Sequence, residues 1–158
     1  MLLDKATWQN LSDYLSDSFW KPMGAKISVP WQVDSNENSM VKAFCCIASS
    51  AIDFARAGKL YKQHGKCNGV QLLYSTFIAK SLHPKFSNAP FYGYGWWLAN
   101  YKNKEIFYTR GDLGQISIVI PEDDLIIVRL GNLISKENTE SQSKDFYTYI
   151  DEAYNIIQ

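Results

Sequence analysis

The stretch from Ile106 to Asn132, IFYTRGDLGQISIVIPEDDLIIVRLGN, limits what the chain can fold into more than any other. Two β-rich runs, Gln115–Ile120 and Leu125–Leu130, flank Pro121-Glu122-Asp123-Asp124, where a proline and three acids favour a turn over continued strand. That order spells a hairpin. In the first arm Ile116, Ile118 and Ile120 alternate with Ser117 and Val119. In the second, Leu125-Ile126-Ile127-Val128 is apolar without a break, the pattern of a strand covered on both faces, which places it inside a sheet. Glu105–Thr109 reads as a further strand. Arg110-Gly111-Asp112-Leu113-Gly114 is then a glycine-flanked bend able to bring backbone N–H groups close to a ligand.

With 158 residues, 46% of them hydrophobic, the chain can bury one core, so a single domain over 1–158 is expected. Aromatic residues reach 15%, with five Trp and ten Tyr, enough that some rings should line a pocket or an interface. Lys plus Arg balances Asp plus Glu at 16 each and no basic stripe stands out, which disfavours nucleic-acid binding. Met1–Ala6 lacks the basic and apolar segments of a secretion signal, and no apolar run is long enough to span a bilayer. The expectation is a cytoplasmic protein with no membrane contact. Cys45 and Cys46 are adjacent and Cys67 stands alone; neighbouring cysteines rarely bridge, so all three read as small hydrophobes in a reducing compartment. His64 and His83 have no acidic partner at ligand spacing, and neither a metal site nor a cofactor is expected.

Thr7 is placed to cap a helix in which Trp8, Leu11, Leu15 and Phe19 fall at helical spacing, with Pro22 and Gly24 to stop it. Ile27–Val33 contains Pro30 and reads as an edge strand or a loop. Ser50 with Asp53 resembles a capping box, opening a helix whose inner face carries Ala51, Phe54, Ala55 and Leu60 and which Gly65 ends. Asn68-Gly69 marks a turn, and Leu72–Leu82 reads as a short helix ended ahead of Pro84. Phe91–Leu98, FYGYGWWL, has strand propensity, with glycines that let something approach closely. After a charged loop over 135–144, Phe146, Tyr149, Ile150, Ala153 and Ile157 share one side of a terminal helix. The fold class is α+β: an antiparallel sheet with strands near 94–100, 105–110, 115–120 and 124–130, packed with helices including a C-terminal one.

Trp20-Lys21-Pro22-Met23-Gly24, Cys46–Tyr61, Asn68-Gly69, Tyr92–Trp97 and Gly111–Gly131, in that order and spacing, resemble the C-terminal part of a group of serine hydrolases. The group is that of class C β-lactamases, penicillin-binding proteins and 6-aminohexanoate-dimer hydrolases, and the last branch is nearest. The resemblance implies a partial β-lactamase-like fold and hydrolysis of an amide or ester. That chemistry needs a serine activated by a lysine one helical turn later, a tyrosine that relays protons, and two backbone N–H groups for the oxyanion. In relatives the serine and tyrosine motifs precede the matched region, so the resemblance implies a chain without nucleophile or base, inactive alone.

By the same resemblance, the third family motif falls on Thr109–Gln115, and the Asp112 N–H becomes an oxyanion donor. Gly111, Leu113, Tyr94, Trp96 and Trp97 are then substrate-binding candidates. Strand alternation sends one tryptophan to the core and the other to the cleft. The bend reads equally as a plain turn between strands. Relatives often carry His where Leu113 stands, and class C lactamases carry Lys-Thr-Gly; their absence here argues against lactamase activity. Ser-x-x-Lys strings occur at Ser18–Lys21, Ser39–Lys42 and Ser141–Lys144, and Tyr101-Lys102-Asn103 imitates the tyrosine motif. None opens a buried helix behind an apolar lead-in. The expected partner is an N-terminal chain carrying the nucleophile, with a small amide or ester as substrate. The rival reading is a non-catalytic module that self-associates, or pairs with a partner, through an open sheet edge.

Overall fold

The computed structural model describes residues 2–35, 37, 39–133, 138–139 and 142–157, so Ser141, which opens the third Ser-x-x-Lys string, lies outside the described residues. The chain divides into two compact units, Met1–Tyr74 and Ser75–Gln158.

In the first unit the single helix expected at the N-terminus is two. Helix α1 (Leu2–Thr7) breaks at Trp8, whose φ is +57°, and α2 (Leu11–Leu15) opens behind Asn10. Asn10 accepts the Asp13 N–H at 2.8 Å, whereas the Thr7 hydroxyl donates back to the Leu3 carbonyl at 2.8 Å. Asn10 is therefore the cap: a threonine already inside a helix finds the carbonyl four residues behind it, and its hydroxyl is lost to the amides ahead. The chain runs on through one π turn, Ser16–Trp20, and leaves it at Gly24, with φ +82°.

Trp31 pairs with Ile47 and Val33 with Val41 as isolated antiparallel bridges, so Ile27–Val33 is part of an irregular ribbon. In its second limb Cys45 and Cys46 are bonded to each other, which corrects the reading of both as buried hydrophobes. Cys46 is exposed and its φ is +76°, a left-handed backbone that sequence adjacency alone does not announce. Cys67 is free and half-buried. Helix α3 (Ala51–Lys62) is capped as expected by Ser50, which accepts the Asp53 N–H at 3.2 Å, and is closed by Gly65, whose N–H donates to the Leu60 carbonyl at 2.8 Å. Asp53 is fully buried. It accepts the Lys26 N–H and the Ser49 hydroxyl, each at 3.3 Å, and the Arg56 guanidinium. Strands β1 (Lys66–Cys67) and β2 (Val70–Gln71) close a hairpin on Asn68-Gly69, both at positive φ, the turn whose twist matches paired strands.

In the second unit, helix α4 (Ser75–Ser81) ends ahead of Pro84. The stretch Phe91–Trp96 is a tight fold-back where a strand was expected: the Gly93 N–H donates to the Trp96 carbonyl at 2.9 Å and the Leu98 N–H to the Phe91 carbonyl at 2.8 Å. Something does approach Gly93, because a Cβ there would lie 1.9 Å from the Ser81 carbonyl oxygen. Strand β3 (Trp97–Tyr101) then starts a four-stranded antiparallel meander with β4 (Lys104–Arg110), β5 (Ile116–Ile120) and β6 (Leu125–Arg129), in that spatial order. Lys102 and Asn103, at φ +50° and +64°, turn β3 into β4. The Pro121–Asp123 turn with Asp124 at +55° joins β5 to β6. A short ribbon, β7 (Asn138–Thr139) and β8 (Gln142–Ser143), leads to α5 (Lys144–Ile157).

One face of the sheet buries Ile106, Tyr108, Ile118 and Ile120 against Phe146 and Ile150 of α5. Each such apolar side chain contributes about 1.5–3 kcal/mol by leaving water. The opposite face buries Phe107, Ser117 and Val119, none more than 5% exposed. So β5, whose alternation suggested one covered face, is the strand covered on both. Strand β6, read from its unbroken apolar run as interior, lies at the sheet edge among the described residues, with all five side chains half-buried. An apolar run reports what lies above and below a strand and is silent about the hydrogen-bonding edge.

Candidate functional site

Strand β4 ends at Arg110, paired with Ile116 of β5, and the bend between them is tied inward. The Gly111 N–H donates to the Gln115 carbonyl at 2.8 Å, the Gly114 N–H to the Gly111 carbonyl at 3.1 Å, and the Leu113 N–H to Gln115 Oε1 at 3.3 Å. Asp112 is exposed, and among the described residues its N–H has no intramolecular acceptor. The bend is thus held by three hydrogen bonds of its own, none of them from the Asp112 amide.

Gln115, given no part by the sequence reading, holds the bend. Its Nε2 donates to the Gly131 carbonyl at 2.7 Å, and its Oε1 lies 2.6 Å from where a Cβ at Gly111 would be. A Cβ at Gly111 would push the Gln115 amide aside. Arg129 of β6 braces the other side, Nη1 donating to the Gly114 carbonyl at 2.7 Å. The signal in the sequence was a long amide side chain directly after the second glycine, at the mouth of an apolar strand.

The two tryptophans go to opposite faces, as alternation requires. Trp97 is half-buried, stacked on Phe91 at 5.9 Å with Tyr92 edge-on at 5.0 Å, and the Arg110 guanidinium sits 5.4 Å from its ring centre. Arg110 thereby links Trp97 to the strand end that carries Gly111 and Asp112. Trp96 is 6% exposed and packs edge-to-face on Phe107 at 4.9 Å, so it belongs to the packing of the far face. The Tyr94 hydroxyl bonds with Lys85 Nζ at 2.6 Å, and Leu113 is exposed at the tip of the bend.

Neither described Ser-x-x-Lys string forms a reactive couple, and no hydrogen bond joins Ser18 to Lys21 or Ser39 to Lys42 among the described residues. Lys21 pairs with Asp17 at 2.8 Å; that hydrogen bond holds its ammonium above the usual value, the wrong direction for a base. Ser39 lines a cavity of about 240 Å³ with Asp4, Asn10, Ser12 and Met40, and Lys42 is not among the walls. In the tyrosine look-alike, burial and then Asp151 raise the Tyr101 phenol, away from proton relay. Burial likewise pushes Tyr108 up to about 12. Among the described residues no group of three His, Cys, Asp or Glu is placed to hold a metal ion, and no helix is long and apolar enough to cross a membrane.

No family model and no curated protein matches the chain. Among solved structures it is similar to a protein of Bacillus anthracis carrying the name 6-aminohexanoate-dimer hydrolase, with a TM-score of 0.75 at 20% identity over 98% of this chain and 39% of that one. It is similar also to a Bacteroides dorei protein named as a β-lactamase, with a TM-score of 0.62 at 14% identity over 94% of this chain and 53% of the other. The chain therefore spans between about two fifths and one half of the proteins it resembles, and its α+β fold, an antiparallel sheet with a C-terminal helix, is β-lactamase-like.

Proposed function

We propose that this chain is the C-terminal part of a β-lactamase-like serine hydrolase that cleaves a small amide or ester in the manner of the 6-aminohexanoate-dimer hydrolases. It contributes the Asp112 N–H as one oxyanion donor, with Trp97, Arg110 and Leu113 beside it as part of the cleft wall. The observation that carries this reading is the Asp112 amide, left unbonded among the described residues on a bend that Gln115 and Arg129 hold from both sides. The attacking serine, its lysine and the relay tyrosine belong to sequence outside this chain, and the chain alone turns nothing over. Steady-state assays of the purified chain with nitrocefin and p-nitrophenyl esters test this. Rates equal to buffer support it; saturable turnover lost in Ser18→Ala, Ser39→Ala or Ser141→Ala refutes it.

A second reading rests on β6. Its outer edge pairs with no strand among the described residues, and Leu130 and Leu133 beyond it are 45% and 74% exposed. Such an edge accepts a strand from a second copy or a partner chain. Sedimentation at micromolar concentration separates the cases: a dimer without hydrolase partner favours an interaction module, a monodisperse monomer counts against it.

A further inference from the structure

The Cys45–Cys46 bond sits in a bulge of the irregular ribbon, and the bulge is held by few contacts. Gln32 spans it, its carbonyl accepting the Lys42 N–H at 2.9 Å and its N–H donating to the Cys46 carbonyl at 3.1 Å. Trp31 stitches it from inside, the indole Nε1 donating to the carbonyls of both Lys42, at 3.0 Å, and Cys45, at 2.8 Å. Two of these contacts end on the disulfide residues themselves, at the Cys45 and Cys46 carbonyls, and two on Lys42, where the turn that carries the disulfide begins. Cys46 is exposed with φ +76°, a backbone region that a non-glycine residue keeps only when its surroundings enforce it. Phe44 next to the bridge is 86% exposed.

We infer that Cys45 and Cys46 form a thiol–disulfide switch that sets the order of the Lys42–Cys46 turn held by Trp31 and Gln32. An external thiolate attacks the sulfur of Cys46, the exposed residue of the pair, and the Cys45 sulfur leaves as a thiolate and takes up a proton. A second external thiol then displaces the first from Cys46. The products are two protein thiols and one external disulfide, with the two electrons supplied by the two external thiols. Once the bridge is open nothing covalent holds Cys46 in its left-handed backbone, and the Gln32 and Trp31 bonds to the bulge loosen with it. This inference does not depend on the hydrolase reading.

The full chain, air-oxidised or treated with dithiothreitol, is to be compared by alkylation under denaturing conditions and by amide hydrogen exchange. One alkylated cysteine, Cys67, is expected before reduction and three after it, with the Gln32 and Lys42 amides exchanging about tenfold faster or more in the reduced chain. A Cys67→Ser variant should retain the exchange difference. The inference is overturned if Cys45 and Cys46 alkylate fully in the oxidised chain, or if exchange at Gln32 and Lys42 is the same in both states.

Discussion

Tyr101, the last residue of β3, donates its hydroxyl to the Asp151 carboxylate of α5, 3.0 and 2.9 Å from its two oxygens, and Lys102 reaches the same carboxylate at 2.7 Å. Asp123, in the turn after β5, forms a second node of the same make-up with Lys104, at 2.6 Å, and with Tyr154 of α5. Two tyrosine–carboxylate–lysine nodes thus fasten one helix to two turns of the sheet.

Those nodes give stability a pH dependence of definite sign. The Lys102 hydrogen bond holds Asp151 below the usual carboxylate value, and the Lys104 hydrogen bond does the same for Asp123, joined in each case by a tyrosine. A carboxylate depressed by folding stabilises above its unfolded value, about 3.9, and loses that contribution as pH falls through the folded value. Urea midpoints should therefore be level near neutrality and decline below about pH 4. The Asp123→Asn, Asp151→Asn double variant should show a smaller decline.

Asp53 should be the most sensitive polar position of the first unit. Burial alone would raise its carboxyl, yet the Lys26 N–H, the Ser50 hydroxyl and Arg56 more than offset that and hold it low. Asp53→Ala strips the Lys26 N–H, the Ser49 hydroxyl and the Arg56 guanidinium of their acceptor and should cost about 2–3 kcal/mol by urea denaturation. Ser50→Ala, which removes the cap and with it one of the groups that hold the Asp53 carboxyl low, should cost about 1 kcal/mol.

Gly93 and Gly95, two residues apart, should fail for different reasons. A methyl at Gly93 meets the Ser81 carbonyl at 1.9 Å, and backbone has to move; at Gly95 it meets nothing within 4 Å but sits at φ +82°. Gly95→Ala should cost about 1 kcal/mol from backbone strain. Gly93→Ala should exceed it, and equal denaturation midpoints for the two variants would refute the close approach.

What the sequence disclosed was local chemistry with one outcome. Ser50 and Asp53 sit at cap spacing, Asn68-Gly69 suits only a tight turn, and Pro121–Asp124 stops a strand; all three appear where their side chains require. What it concealed depended on partners far along the chain or on a choice between equal local options. Thr7 and Asn10 are both competent caps, and Trp8 leaving the helix decided between them. Gln115 acquires its part only because Gly131 returns beside it after a full hairpin. The unbroken apolar run of β6 resembles an interior strand, since the covered faces leave a mark on composition and the free edge leaves none.

The proposed division of labour, an oxyanion-side corner at Asp112 with no attacking hydroxyl beside it, is tested most directly by covalent trapping. The purified chain is incubated with an excess of a fluorophosphonate, which phosphonylates activated serines, and its intact mass is measured. An unchanged mass is expected. A stoichiometric adduct that maps to any serine of this chain, and is absent when that serine is replaced by alanine, would contradict it.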